Sequence, residues 1–173
     1  MKTPEKQIKT ILKTYEKHLD GDFDAYHNHA LRVYYYARTL LLMKENRKLA
    51  IAAAFHDLDI WVKGDMDYLK GSAEFAKGYL KENKLSFLPD ELEFIISNHH
   101  KLTRIKGNIE AEAFRKADLI DLTSGWIKFN IPNSLITEME RKVPRLNFSK
   151  IILKKVVTHA FRNPTRPFPM IRL

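Results

Sequence analysis

Several polar side chains interrupt apolar stretches of this 173-residue sequence where a folded chain cannot leave them uncompensated. His56 and Asp57 directly follow the apolar run 49–55, which reads Leu-Ala-Ile-Ala-Ala-Ala-Phe. Asp118 shares a helical face with Phe114, Ala117 and Asp121, where the pattern asks for an apolar residue, and His99 shares one with Leu92, Ile95 and Ile96. His27 and His29 lie in the first turns of another amphipathic segment. A buried imidazole or carboxylate without a partner costs several kcal/mol. Each has an ordinary explanation when taken singly: a histidine on an apolar face is commonly a hydrogen-bonded core residue, and Asp118 can pair with Arg115 or Lys116. Together they suggest one shared partner. The chain has no cysteine, which excludes zinc fingers, thiol nucleophiles and disulfides and leaves His, Asp and Glu as metal ligands. Two histidines and two aspartates from separate helices suit one hard or borderline divalent cation, Mn²⁺, Mg²⁺, Fe²⁺, Ni²⁺, Co²⁺ or Zn²⁺.

Other residues fit supporting roles. His99 is the first choice for an acid, base or phosphate contact, with His100 next; one of the two is expected to face solvent, because adjacent helix positions diverge by about 100°. Lys63, Lys101, Arg115 and Lys116 lie near the candidate ligands in sequence and carry charges that suit phosphoryl oxygens. Arg32, one turn beyond His29, can orient it or pair with a carboxylate. Asp67 and Tyr68 either close over the pocket or pack within their loop. Two look-alikes fail. Asp20-Gly21-Asp22-Phe23-Asp24 resembles the start of a calcium loop but has Ala25 in place of the sixth-position glycine and Leu31 in place of the final glutamate. His27-Asn28-His29 lacks the hairpin that such a nuclease motif requires.

The elements that must position these groups are helices. Apolar residues recur at helical spacing almost everywhere, so the fold class is all-α. A first helix starts after Thr3-Pro4 and ends at Asp20-Gly21-Asp22. A second spans about 24–44, with Leu31, Tyr34, Tyr35, Arg38, Leu41 and Leu42 on a broad face. The run 49–55 is apolar on all sides, as a helix in the middle of a bundle is. A loop with a short helical turn covers 58–71, and helices follow at about 72–83, 89–100, 108–123, 134–141 and 149–161. The proline-rich stretch 163–169 is a non-helical tail that packs or dangles.

Composition fits one domain, residues 1–173, with a motif-bearing core at about 22–125 and C-terminal helices and tail at 126–173. Forty-five per cent hydrophobic residues support a core, and no stretch reaches the roughly 20 apolar residues that span a bilayer. No membrane association and a cytoplasmic location are the expectations. The net charge of +9 favours anionic partners, a small phosphorylated substrate such as a nucleotide, with nucleic acid suggested by charge only.

In order and approximate spacing, His29-Ala-Leu-Arg32-Val33, Phe55-His56-Asp57-Leu58 and Lys116-Ala-Asp118-Leu-Ile resemble the H…HD…D signature of the HD-domain metal-dependent phosphohydrolases. The resemblance implies a compact multi-helix bundle around a central metal site, with His29, His56, Asp57 and Asp118 holding one divalent cation and Asp57 also orienting the attacking water. It implies hydrolysis of a phosphomonoester or phosphodiester. Departures narrow it. Leu58-Asp59-Ile60-Trp61 replaces the acidic pair of the alarmone hydrolases, and Ile60 stands where the deoxynucleotide 5′-monophosphatases carry a glutamate. Binuclear relatives supply further histidines between the His-Asp pair and the last aspartate; only His99 and His100 are available here, so one metal is expected and a second is the alternative. Competing with hydrolysis are a non-catalytic nucleotide- or RNA-binding module that uses the basic surface, and a metal oxygenase, which lacks the histidines for two irons.

Overall fold

The computed structural model describes residues 3–85 and 89–172. It is all-α: no strand forms among the described residues, and the one extended contact is an isolated bridge between Lys101 and Arg172. Helix α1 (Pro4–Lys13) begins with Thr3 as its cap and Pro4 in the first turn, where a missing N–H costs nothing. It breaks at Thr14 and continues as the single turn α2 (Glu16–Leu19) and a 3₁₀ turn at Asp20–Asp22. Helix α3 (Phe23–Leu40) is shorter than its sequence pattern predicts. Leu42 adopts a left-handed conformation (φ 54°) and is 94% exposed, so it ends the helix instead of extending the apolar face.

Helix α4 (Arg47–Phe55) starts at Asn46, whose side chain accepts from the amide of Leu49 at 3.0 Å. Every residue from Leu49 to Phe55 is fully buried, the consequence of an apolar surface on all sides. Neighbours cover it on several flanks: α1, α3, α6 (Leu69–Glu82) and α7 (Pro89–Asn98). Between α4 and α6 lies the single turn α5 (Asp59–Val62). Helix α8 (Ile109–Leu122) is capped by Asn108, which accepts from Ala111 N at 2.9 Å, and makes its main packing interface with α3. Helices α9 (Asn133–Lys142) and α10 (Phe148–Arg162) follow, and α10 packs on α3 through Phe148.

The tail packs. Arg166 pairs with Asp67 at 3.0 Å, Met170 is buried with Ile60, Met66, Tyr68 and Leu69, and the carbonyl of Arg172 accepts from Leu102 N at 2.9 Å. Its prolines exclude helix, as expected, but leave it free to pack against Asp67, Leu102 and the Ile60–Leu69 cluster.

Candidate metal centre

The site is built at helix ends and on two facing helices. His29 projects from the middle of α3 and Asp118 from α8 opposite it, while His56 and Asp57 occupy the turn in which α4 ends. Tyr26 fixes that turn: its hydroxyl donates to the carbonyl of Ala54 (3.1 Å) and accepts from the amide of Asp57 (3.3 Å).

Three imidazoles are each held by one ring nitrogen. His29 Nδ1 donates to Asp121 Oδ2 (2.7 Å), His56 Nδ1 to the carbonyl of Ala53 (2.9 Å), and His99 Nδ1 to the carbonyl of Ile96 (2.6 Å). Carbonyls and carboxylates only accept, so each Nδ1 carries a proton, and each Nε2 faces the centre. His29 Nε2 and His56 Nε2 stand 2.9 Å apart. Two ring nitrogens that close need a proton or a metal cation between them. Asp57 Oδ2 lies 3.6 Å from both nitrogens, and Asp118 Oδ1 lies 3.5 and 3.7 Å from them. These separations suit neighbouring ligands around one ion with bonds of about 2.0–2.2 Å. Asp118 Oδ1 is buried with no hydrogen-bond partner, an orphan acceptor that a metal would satisfy.

The electrostatics agree. Burial opposes charge on Asp57, but the His56 charge and the His29 and His99 hydrogen bonds hold its carboxyl well below the usual range. Burial acts likewise on Asp118, where the hydrogen bond of His56 lowers it. Burial pulls the His29 imidazole down, yet the hydrogen bonds of Asp121 and Asp57 outweigh it and hold the group at about 8. A proton is thus drawn to the place a divalent cation would take.

Asp121, one turn along α8 from Asp118, carries no role in the sequence pattern beyond sharing its face. It accepts from Arg32 Nε (2.6 Å) and Nη2 (3.0 Å) while it orients His29, and these two partners hold its carboxyl low against burial. Arg32, fully buried, also donates to the carbonyls of Val143 (3.1 Å) and Pro144 (2.9 Å). Of its two anticipated roles it performs both: it pairs with a carboxylate, and through that carboxylate it fixes His29. Phe148 stacks on the His29 ring (3.9 Å between centroids, 11° between planes), a contact from α10 that no spacing in the sequence announces.

His99 and His100 correct one expectation. Helix α7 stops at Asn98, so the pair lies in a turn, where the divergence of adjacent helical positions does not apply, and both face the site. His99 Nε2 is 3.2 Å from Asp57 Oδ1, and His100 Nδ1 is 3.5 Å from Asp118 Oδ2. The donors thus form three overlapping triads: His29-His56-Asp118, His56-Asp57-His99 and His99-His100-Asp118. His100 differs from the other histidines. The Tyr68 hydroxyl, pushed well above 10 by burial and by the charges of Asp57 and Asp118, keeps its proton and donates it to His100 Nε2 (2.6 Å), which leaves the ring proton on Nδ1. Burial and the charge of His99 lower His100 to about 4, so the ring is neutral.

The cations separate into two groups. Lys101 and Arg115 line a cavity of about 270 Å³ that opens onto Asp57, His99, His100 and Asp118. Arg115 spends Nε and Nη2 on Glu112 (2.9 Å each) and Nη1 on the carbonyl of Lys101 (3.3 Å). Lys63 and Lys116 are not brought to this cavity. Lys63 is 3.0 Å from Asp59 and more than half exposed, while Lys116 lies 3.5 Å from Glu112 and over the Phe129 ring. Proximity in sequence misplaced both: Lys116 lies two residues before Asp118, about 200° around α8, and Lys63 follows the α5 turn, where it meets Asp59. Asp67 pairs with the tail, and Tyr68 is the buried partner of His100.

The sequence profile of the HD domain matches residues 26–159, which takes in all four candidate ligands. The chain belongs to the HD-domain family. The match runs beyond 125, the end of the motif-bearing core, and the structure supplies a reason: Phe148 and the carbonyls of Val143 and Pro144, which complete this HD domain's His29–Asp121–Arg32 triad, lie in its last third. No curated protein and no solved structure matches this HD domain. Among the described residues no helix is long and apolar enough to cross a membrane.

Proposed function

We propose that this HD domain is a metal-dependent phosphohydrolase that cleaves a phosphomonoester or phosphodiester. The observation that carries the reading is the pair of Nε2 atoms 2.9 Å apart, flanked by two ionised carboxylates of which one has an orphan oxygen. His29, His56, Asp57 and Asp118 are the residues to hold one divalent cation; a second, drawing on His99 and His100 beside Asp118, would require His100 to give up its Nδ1 proton. When bound, such an ion lowers the pKa of water and polarises a phosphoryl oxygen.

The chain's own groups supply the rest. Asp57 spans the site, with Oδ2 on the His29–His56 side and Oδ1 towards His99, so it can orient water by accepting its hydrogen bond. His100 presents Nδ1–H at the cavity with Tyr68 behind it, the geometry of a hydrogen-bond donor to a leaving oxygen. Lys101 and Arg115 bring positive charge to the wall beside the reacting phosphoryl group.

The test is phosphate release from an aryl phosphate and a panel of phosphoesters with each divalent cation in turn, comparing wild type with Asp57→Ala. Cation-dependent release that falls at least about 100-fold in a folded Asp57→Ala supports the reading. Release that is equal in the variant, or absent with every cation and ester, contradicts it.

A further inference from the structure

The cavity that meets the candidate ligands is polar at one end only. Asp57, His99, His100 and Asp118 form its floor, and Lys101 and Arg115 stand beside them. Beyond that floor the walls are Leu119 and Leu122 of α8, Ile152 and Val156 of α10, and Phe168 and Met170 of the tail. The tail is strapped across by the Arg166–Asp67 ion pair and the Leu102–Arg172 hydrogen bond, so this wall is part of the fold. Of the polar side chains beside the floor, Tyr68 is engaged by His100, and Arg115 by Glu112 and the Lys101 carbonyl. Among the described residues no polar side chain lines the outer part to meet the hydroxyls of a pentose or the edge of a base, and a buried polar group without a partner loses binding. The volume, about 270 Å³, is below the roughly 300 Å³ at which sites for larger organic ligands begin.

We infer that the site takes a phosphoester whose organic part is short and apolar, an alkyl or aryl group lodged against Leu119, Leu122, Ile152 and Val156, and that it discriminates against nucleotides. The C-terminal tail thereby acts in specificity: Phe168 and Met170 close the apolar wall opposite α8. The inference rests on the phosphohydrolase reading for the placement of the phosphoryl group, and it replaces the nucleotide expected from charge. The charge argument fails locally because most of the +9 lies outside this cavity, whose two cations serve only the phosphoryl end.

Binding of non-hydrolysable phosphonates separates the two readings. Methyl-, propyl-, butyl- and phenylphosphonate and AMP would be titrated calorimetrically into the Mn²⁺-supplemented full chain and into Val156→Asn, a partly exposed position on α10 at the edge of the Met170 cluster, with the variant's fold checked by circular dichroism. Each methylene buried up to butyl is expected to raise affinity about fourfold, with AMP weaker than butylphosphonate, and Val156→Asn is expected to flatten the series. A wild-type series that is flat, or AMP binding more tightly than butylphosphonate, overturns the inference. Phosphate release from the matching alkyl phosphates judges the hydrolase reading separately. A rising series without release overturns that reading and leaves the apolar pocket standing, whereas release with a flat series does the reverse.

Discussion

His29 reaches the centre in one orientation because Asp121 accepts its Nδ1–H and Arg32 holds Asp121 with two hydrogen bonds. A ligand whose outer partner is removed loses both its tautomer and its aim, typically at a cost of 10–100-fold in metal affinity. Asp121→Asn is therefore expected to weaken divalent-cation binding by about that factor in competition with a chelating dye; unchanged affinity would show that Asp121 is only a structural partner of Arg32. The ligands themselves were legible because each places a titratable group where an apolar one belongs. Asp121 carried the same signal, three residues after Asp118, but one helical face could not reveal that the imidazole it serves comes from α3, 92 residues away. Phe148 is invisible for a different reason: an aromatic at the start of an amphipathic helix looks like any core residue until its ring is seen against His29.

At the level of elements, burial patterns and the Thr3-Pro4 start carried most of the reading, whereas the Asn46 and Asn108 caps are visible only in the structure. Thr3, Asn46 and Asn108 cap the helices that follow them, and the all-apolar run 49–55 is the central buried helix. The misreadings are at ends: α3 stops at Leu40, before its apolar pattern does, and α7 at Asn98, two residues short of the expected end at 100, since periodicity shows which face is buried and not where hydrogen bonding ceases. Two predictions belong at this scale. Gly71, near the start of α6, leaves space for Asp59: a Cβ there would lie 1.8 Å from the Asp59 carboxylate and 2.6 Å from Lys63 Nζ. Gly71→Ala should lower the urea midpoint, despite the better helix propensity of alanine; a raised midpoint would show that the Asp59–Lys63 pair moves aside freely.

Glu112 ties the loop before α8 to that helix, accepting from Ile105 N (2.9 Å) and from Arg115. Burial opposes its charge, but Arg115 and the Ile105 amide hold it at about 2. An unfolded glutamate titrates near about 4.3, so the native state binds its proton later. The stabilisation is complete above about pH 4.3 and is lost as the pH falls towards 2. Glu112→Gln should be less stable than wild type at neutral pH, with the difference shrinking across that window in urea melts; a constant difference would contradict the ion pair.

Across the whole molecule, the fold brings residues from α3, the α4 and α7 ends and α8 to one point, and lays a tail from the far end of the sequence along the cavity they share. The all-α class and the bundle around a central site were legible because helical periodicity and the order of the His and Asp residues are local signals. The tail's place was not, since a proline-rich segment announces only what it cannot form. The account's central claim is that His29, His56, Asp57 and Asp118 hold a divalent cation, and the most direct measurement is elemental analysis of the purified, dialysed protein and of His56→Ala. About one equivalent or more of a transition metal in the wild type, a marked loss in the folded variant, and a lower melting temperature of the wild type after chelation are the predicted results. A wild type that stays metal-free when supplemented, or a variant that retains the metal in full, would contradict the claim.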